Sequence, residues 1–199
     1  MSNPEYVKVD GKLYKINTDF RVALECDSIL RDTTISDFER IIAFLFKLFG
    51  KDGVTCENEQ ELINKAMKYL SLGQNEKGLK IDSDDKFEMD FQKCKGLIQS
   101  SFKFDYGYDP YSLEYLHWYD FYNDLQNLST SEFGTCCKLN QVITILKQNP
   151  SEIKDNKQRE QLIKLQKYYK EQYCREEEKQ ITEEQERSAK ELYKALGMI

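Results

Sequence analysis

Glycine and proline are scarce in this chain of 199 residues, with nine and three copies. Because these two residues are the main interruptions of regular helix, their scarcity favours a helical fold. No run of apolar residues reaches the roughly 20 that are needed to cross a bilayer. The first residues also lack the basic and apolar regions of a signal peptide. We expect a cytoplasmic protein that has no membrane partner.

Positive charge is also in deficit. Lys and Arg number 29 against 35 Asp and Glu, which gives a formal net charge of −6. An acidic surface repels the phosphates of nucleic acids and of anionic membranes, so we expect no nucleic-acid partner. The whole imbalance lies in residues 1–151, because residues 152–199 hold 11 basic and 11 acidic residues.

Sequence motifs for catalysis or metal binding are few. The single histidine, His117, lies among aromatic residues, where a structural hydrogen-bonded role is more frequent than a catalytic one. The six cysteines include no C-x2-C pair. A redox role is one interpretation of the adjacent Cys136 and Cys137, but free cysteines more often pack as small buried residues. We therefore expect no enzymatic activity, no cofactor and no metal site.

Aromatic residues are concentrated in one segment. Ten of the 25 aromatic side chains fall within residues 102–122, together with the adjacent His117 and Trp118. Large rings dominate both cores and interfaces, so the segment can belong to the core of the protein or to a surface that contacts a partner. We predict that Trp118 and Phe121, three residues apart on a helix, pack in the core. Their predicted partners are Phe91, Ile98 and Phe102.

The chain begins with a predicted β-hairpin, in which Tyr6–Val9 and Lys12–Ile16 flank an Asp10-Gly11 turn. The remaining patterns are helical, and the fold class is mainly α, with six to eight helices. The helices are expected over residues 18–30, 36–49, 57–71, 84–106, 112–127 and 129–149, and from residues 155 and 182 onward. The first is expected to have a cap at Asn17 or Thr18, and the second begins with a Ser36–Glu39 capping box. Residues 73–85 are predicted to be a loop.

We expect two parts, a hairpin plus helical domain over residues 1–150 and a charged amphipathic helical extension over residues 151–199. The extension has thin apolar stripes with charge on its other faces. Such a stripe docks either on its own domain or on a helix of another protein. The candidate partner-binding residues are Leu162, Leu165, Tyr169, Leu192, Tyr193 and Leu196.

Several motifs occur in a characteristic order. They are I-N-T-D-F-R at Ile16–Arg21, F-E-x-D-F at Phe87–Phe91, S-F-x-F-x-Y-G-x-D at Ser101–Asp109, L-H-W-Y-x-F at Leu116–Phe121 and K-Y-Y at Lys167–Tyr169. This order, over about residues 6–175, resembles a family of siphophage proteins encoded between the tail-tube and tape-measure genes and regarded as tail assembly chaperones. The element Leu116-His117-Trp118 is its most specific part.

The resemblance implies a helical protein in the cytoplasm of the bacterial host that binds the tape-measure protein and keeps it soluble. Several copies would line one tape-measure chain, as a homo-oligomer on that chain, until tail-tube subunits displace them. Such proteins have no cofactor and are absent from the mature virion. Two alternatives stay open: a phage-encoded regulator or anti-defence protein that binds a host factor, and a structural component that remains in the tail.

Overall fold

The computed structural model describes residues 3–73, 87–130 and 136–175. Its fold is mainly helical, and a two-stranded hairpin at the N-terminus precedes eight α-helices in the described residues, which confirms the predicted fold class. The elements are β1 (Tyr6–Val9), β2 (Lys12–Lys15), α1 (Phe20–Arg31), α2 (Asp37–Phe49), α3 (Lys51–Val54), α4 (Glu59–Leu70), α5 (Lys95–Tyr106), α6 (Trp118–Gln126), α7 (Lys138–Lys147) and α8 (Asn156–Tyr173), with 3-10 turns at Pro110–Ser112 and Pro150–Glu152.

The hairpin has the predicted turn. Val9 pairs with Lys12, so that Asp10 and Gly11 form the two-residue connection. Their φ angles are +47° and +84°, as a type I′ turn requires, and Gly11 adopts such an angle without strain. The hairpin lies on α4, because Asn58 at the start of α4 donates from Nδ2 to Asp10 Oδ2 at 3.0 Å.

The described residues fall into two compact units. The first comprises residues 3–73 and 117–119, with β1, β2 and α1–α4. Its helix α2 begins with the predicted capping box: Glu39 N–H donates to Ser36 Oγ at 3.2 Å, and Ser36 N–H donates to Glu39 Oε2 at 2.9 Å. The predicted inward positions of α4 are all buried, namely Leu62, Ala66, Tyr69 and Leu70.

Trp118 is enclosed within this first unit. Its side chain is fully buried, and its indole Nε1–H donates to the carbonyl of Leu70 at 3.1 Å. Its backbone N–H donates to the carbonyl of Thr18 at 2.8 Å, beside an antiparallel bridge between Asp19 and His117. The tryptophan is therefore fixed by two segments that are distant in sequence.

The second unit comprises residues 87–116, 120–130 and 136–175, with α5, most of α6, α7 and α8. The rings of Phe102 on α5 and Phe121 on α6 are stacked, with centroids 5.4 Å apart and planes at 12°. Ser101 is also buried on α5, and its hydroxyl accepts from the Leu139 N–H at the start of α7 at 3.0 Å. Helix α5 ends at Gly107, which has a left-handed φ of +77°, and this confirms the predicted stop.

The predicted start of α5 was wrong. The helix begins at Lys95 and not near residue 84, so Phe87 and Phe91 precede it. The segment before it is extended, because Met89 forms an antiparallel bridge with Cys174. The Asp90 carboxylate then accepts from the N–H groups of Gln92 and Lys93 at 2.8 and 2.9 Å and turns the chain.

The predicted start of α6 at Ser112 was also wrong. Ser112 ends a 3-10 turn, and α6 begins at Trp118. His117 is paired with Asp19 in an extended conformation, and its Nδ1 accepts from the N–H of Tyr119 at 3.0 Å. The histidine therefore satisfies one of the donors at the helix start that have no intrahelical partner.

Two further helix starts differ from the prediction. The cap of α1 is Asp19, not Asn17 or Thr18, because the Asp19 carboxylate accepts from Arg21 N–H at 2.8 Å. Ser129 does not cap α7, whose described residues begin at Lys138; its hydroxyl instead donates to Asp105 Oδ1 at 2.7 Å. Residues 74–85 of the predicted loop, Glu132 and the predicted helix from Thr182 lie outside the described residues.

Candidate protein-binding surface

Helix α8 is capped at both ends. Asp155 precedes it, and the Asp155 carboxylate accepts from Gln158 N–H at 2.8 Å. At the other end the Cys174 N–H donates to the carbonyl of Lys170 at 3.0 Å. Caps of this kind satisfy backbone groups that a helix cannot pair internally. The 18 residues of α8 therefore form a well-terminated helix despite their high charge.

The C-terminal end of α8 is also attached to the segment that precedes α5. The Asp90 N–H donates to the carbonyl of Tyr173 at 2.8 Å, and the Arg175 N–H donates to the carbonyl of Glu88 at 2.9 Å. The Arg175 guanidinium lies 3.7 Å from Glu88 and 3.8 Å from Asp90. These contacts hold the helix in a defined position within the second unit.

One face of α8 packs against α7. Leu162 is buried at 8% exposure. One turn later, Gln166 Nε2 donates to the carbonyls of Ile145 and Gln148 at 2.8 and 2.7 Å. These carbonyls lie at the C-terminal end of α7, where backbone acceptors have no intrahelical donor. The glutamine thus joins the end of α7 to the middle of α8.

Large apolar side chains remain exposed on other faces of α8. Leu165 is 37% exposed, Tyr168 52% and Ile163 49%. Leu165 and Tyr168 are three residues apart and lie on one side of α8, where they form a surface that another apolar chain can cover, whereas Ile163 points to the opposite side of the helix. The surface with Leu165 and Tyr168 is a candidate for partner binding in the second unit.

The predicted binding residues on α8 are in different environments. Leu162 belongs to the docked face, whereas Leu165 is exposed. Tyr169 is half-buried, and its ring lies 5.6 Å from that of Tyr168 and 5.9 Å from that of Tyr173. Tyr168, which the sequence reasoning did not select, is the most exposed of the aromatic residues here. Leu192, Tyr193 and Leu196 lie outside the described residues.

The aromatic-rich segment is divided between the interior and the surface: of its ten rings, Phe102, Trp118 and Phe121 are buried. The buried members of the predicted core and motif set are Phe91, Ile98, Phe102, His117, Trp118 and Phe121, whereas Leu116 is half-buried. The rim of the segment reaches the surface at Phe104 and Tyr115, which are 57% and 54% exposed.

Hydrogen bonds to Asp124 orient two tyrosines of this rim. The Tyr108 hydroxyl donates to Asp124 Oδ2 at 2.6 Å, and the Tyr106 hydroxyl donates to the Asp124 carbonyl at 2.8 Å. Partial burial and the adjacent Asp124 carboxylate raise the pKa of Tyr108. Both phenols are therefore protonated and act as donors at neutral pH.

The described cysteines are free thiols, and five of the six are buried. Burial raises the pKa of Cys26 to about 12, and burial likewise raises the pKa of Cys94 and Cys174. A thiol is a nucleophile or a metal ligand only as the thiolate, so these three are unreactive in the folded state.

Metal and membrane features were sought in the part of the chain that the structure describes. There, no three or more His, Cys, Asp and Glu side chains come together in a way that could hold a metal ion. Within the same residues, no helix combines the length and the apolar character that crossing a bilayer requires.

A family model described as Bacteriophage Gp15 protein matches residues 2–170, which is most of the chain. The protein is thus a bacteriophage protein. It belongs to the Gp15 family. No curated protein and no solved structure matches the chain.

Proposed function

We propose that this protein is a tail assembly chaperone that binds the tape-measure protein of its phage, keeps it soluble and promotes assembly of the tail tube around it. The observation that carries the proposal is membership of a bacteriophage protein family over residues 2–170. The order of motifs in the sequence, from Ile16–Arg21 to Lys167–Tyr169, supports the finer assignment by resemblance to chaperones encoded beside the tape-measure gene.

The exposed apolar side chains of α8 provide physical support. A tape-measure protein is a long helical chain, and an amphipathic helix presents apolar residues at intervals of three and four. Leu165 and Tyr168 are exposed at such an interval on a helix that is already fixed in place. Binding would therefore require little additional ordering of this chain, which lowers its entropic cost.

The same surface suits binding that can be reversed. Each contact of this size is weak, but several copies on one long partner strengthen one another through a high effective concentration. Weak individual contacts also permit tail-tube subunits to displace the copies one at a time. In this proposal the protein works by binding in the host cytoplasm, without catalysis and without a cofactor, and does not remain in the virion.

Co-expression with the tape-measure protein of the same phage tests the proposal. We expect the tape-measure protein to become soluble and to co-purify with an affinity-tagged form of this chain. Assembled tails purified from infected cells should lack the chain. A tape-measure protein that is equally insoluble with and without this chain would contradict the proposal and favour a host-factor-binding protein. Retention of the chain in purified tails would favour a structural component.

A further inference from the structure

The exposed side of α8 contains a continuous uncharged row beside the docked face. Successive residues of a helix are rotated by about 100°, so Leu165 and Tyr168 point about 60° and about 120° away from the buried Leu162. Both are exposed. The row, which we call the α8 seam, consists of the exposed residues Gln158, Gln161, Leu165, Tyr168 and Gln172.

The spacing of the α8 seam is that of a coiled-coil interface. Its members follow one another at intervals of three, four, three and four residues, which is the a/d pattern of a heptad. In a two-stranded coiled coil, each of these positions would contact the partner helix. Leu165 and Tyr168 occupy two adjacent a/d positions near the middle of the row, where apolar contact contributes most.

Charged residues lie along the free edge of the α8 seam. Lys157 and Lys164 are one turn before Gln161 and Tyr168, so each lies beside a seam residue on the same face. Glu171 follows at the same interval of seven residues. All three are exposed, and the edge is therefore basic over its first two positions and acidic at its third.

The small apolar content of the α8 seam argues against a second copy of the chain as the occupant. In an antiparallel pair of α8 helices, packing Leu165 against Tyr168 would place Gln161 against Gln172, so the apolar contacts would be confined to Leu165 and Tyr168 of the two copies. In a parallel pair each of these two residues would meet its own copy, again with glutamines on both sides. A stable dimer buries far more apolar surface than these residues provide.

We propose that the α8 seam docks a helix of a different protein, whose apolar residues repeat at three and four and whose flanks are acidic opposite Lys157 and Lys164. That helix would supply the apolar side chains that the glutamines of the seam lack, and its carboxylates would neutralise the basic edge. The inference rests on the proposed function only in assigning this helix to the tape-measure protein.

A pair of matched variants tests the apolar part of the seam. Leu165→Lys removes a seam residue, whereas Ile163→Lys makes the same kind of change at an exposed position of α8 about 160° away. In co-expression with the tape-measure protein we expect Leu165→Lys to reduce the co-purified amount about tenfold. Ile163→Lys should leave it unchanged, and both variants should keep the helical circular dichroism and melting temperature of the parent.

A second pair tests the charged edge. Lys164→Glu reverses a charge beside the seam, and Lys170→Glu reverses an exposed charge on the other side of the helix. We expect Lys164→Glu to weaken binding about threefold, and we expect this effect to be smaller at high salt. Lys170→Glu should have no effect on binding.

The outcomes separate the two proposals. If the parent protein does not bind the tape-measure protein, the proposed function fails. If the parent binds and Leu165→Lys binds as well as Ile163→Lys, the proposed function stands and the α8 seam is wrong. If size-exclusion chromatography shows a dimer of the parent that Leu165→Lys converts to a monomer, the seam pairs with a second copy, and the assignment to a different protein is overturned.

Discussion

Helices α2 and α8 differ in how much of their surface is buried. In α2, five of 13 residues are buried: Ile42, Phe44, Leu45, Leu48 and Phe49. In α8, Leu162 is the buried residue among 18. Helix α2 is therefore stabilised by the core, and α8 by its caps, by Gln166 and by contacts at its C-terminal end. The comparison teaches that a helix held by few contacts leaves apolar side chains exposed, as α8 leaves Leu165 and Tyr168.

Replacing Phe44 by Ala should give the largest effect. Phe44 is fully buried on α2, and loss of its ring leaves a cavity, so we expect the free energy of unfolding to fall by about 3–5 kcal/mol. Phe46 on the same helix is 53% exposed, and Phe46→Ala should change it by less than about 0.5 kcal/mol. Urea unfolding followed by circular dichroism measures both. Equal losses would contradict the burial pattern of α2.

Replacing Leu162 by Ala tests whether α8 depends on its one buried residue. We expect a loss of about 2 kcal/mol, at the lower end for a buried leucine, because the side chain lies at the edge of the core. Leu165→Ala is the control, with little expected change because Leu165 is exposed. Hydrogen exchange should show that Leu162→Ala lowers protection in α8 and not in α2. Unchanged protection in α8 would mean that other contacts hold the helix.

Replacing Gln166 by Ala removes the donor to the Ile145 and Gln148 carbonyls. A hydrogen bond of this kind contributes about 1 kcal/mol to the free energy of unfolding, and we expect a loss of that size. Gln161→Ala, at an exposed position five residues earlier, is the matched control. The melting temperatures of the two variants provide the measurement, and a larger loss for Gln161→Ala would contradict the docked face assigned to α8.

The reactivity of the cysteine thiols compares α1 with the end of α8, and its expected effect is the smallest. Cys56 is half-buried, whereas Cys26 on α1 and Cys174 after α8 are buried. Burial raises the pKa of both buried thiols, so the reactive thiolate is scarce until the surrounding structure opens. At pH 8 we expect a disulfide reagent to modify Cys56 first, then Cys174 and finally Cys26. Mass spectrometry of peptides gives the order, with Cys56→Ser as the control. Modification of Cys26 before Cys174 would contradict a less stable α8.

Local signals predicted several elements well. The hairpin follows from Asp10-Gly11, because few residues tolerate the two positive φ angles of a type I′ turn. The start of α2 follows from Ser36 and Glu39, whose side chains bond to each other's backbone over three residues. Both devices are complete within a few residues of sequence, so no distant contact is needed to form them.

Helix starts that depend on distant partners were missed. Phe87, Phe91 and Cys94 have helical spacing, yet residues near Met89 are extended because they pair with Cys174, 85 positions away in sequence. His117 likewise is kept out of the helix by its bridge to Asp19. Spacing alone does not distinguish a helix from an extended segment that is paired elsewhere.

The candidate surface also combines features that the sequence determines with features that only the tertiary structure determines. The sequence by itself determined that residues from 155 onward form an amphipathic, highly charged helix with Leu162, Leu165 and Tyr169 on an apolar side. Only the tertiary structure decided which of these residues is covered, because Leu162 is buried and Gln166 binds the end of α7, whereas Leu165 and Tyr168 remain exposed. The physical reason is that helix formation and capping depend on neighbours along the chain, whereas burial depends on which other surfaces compete for each apolar face.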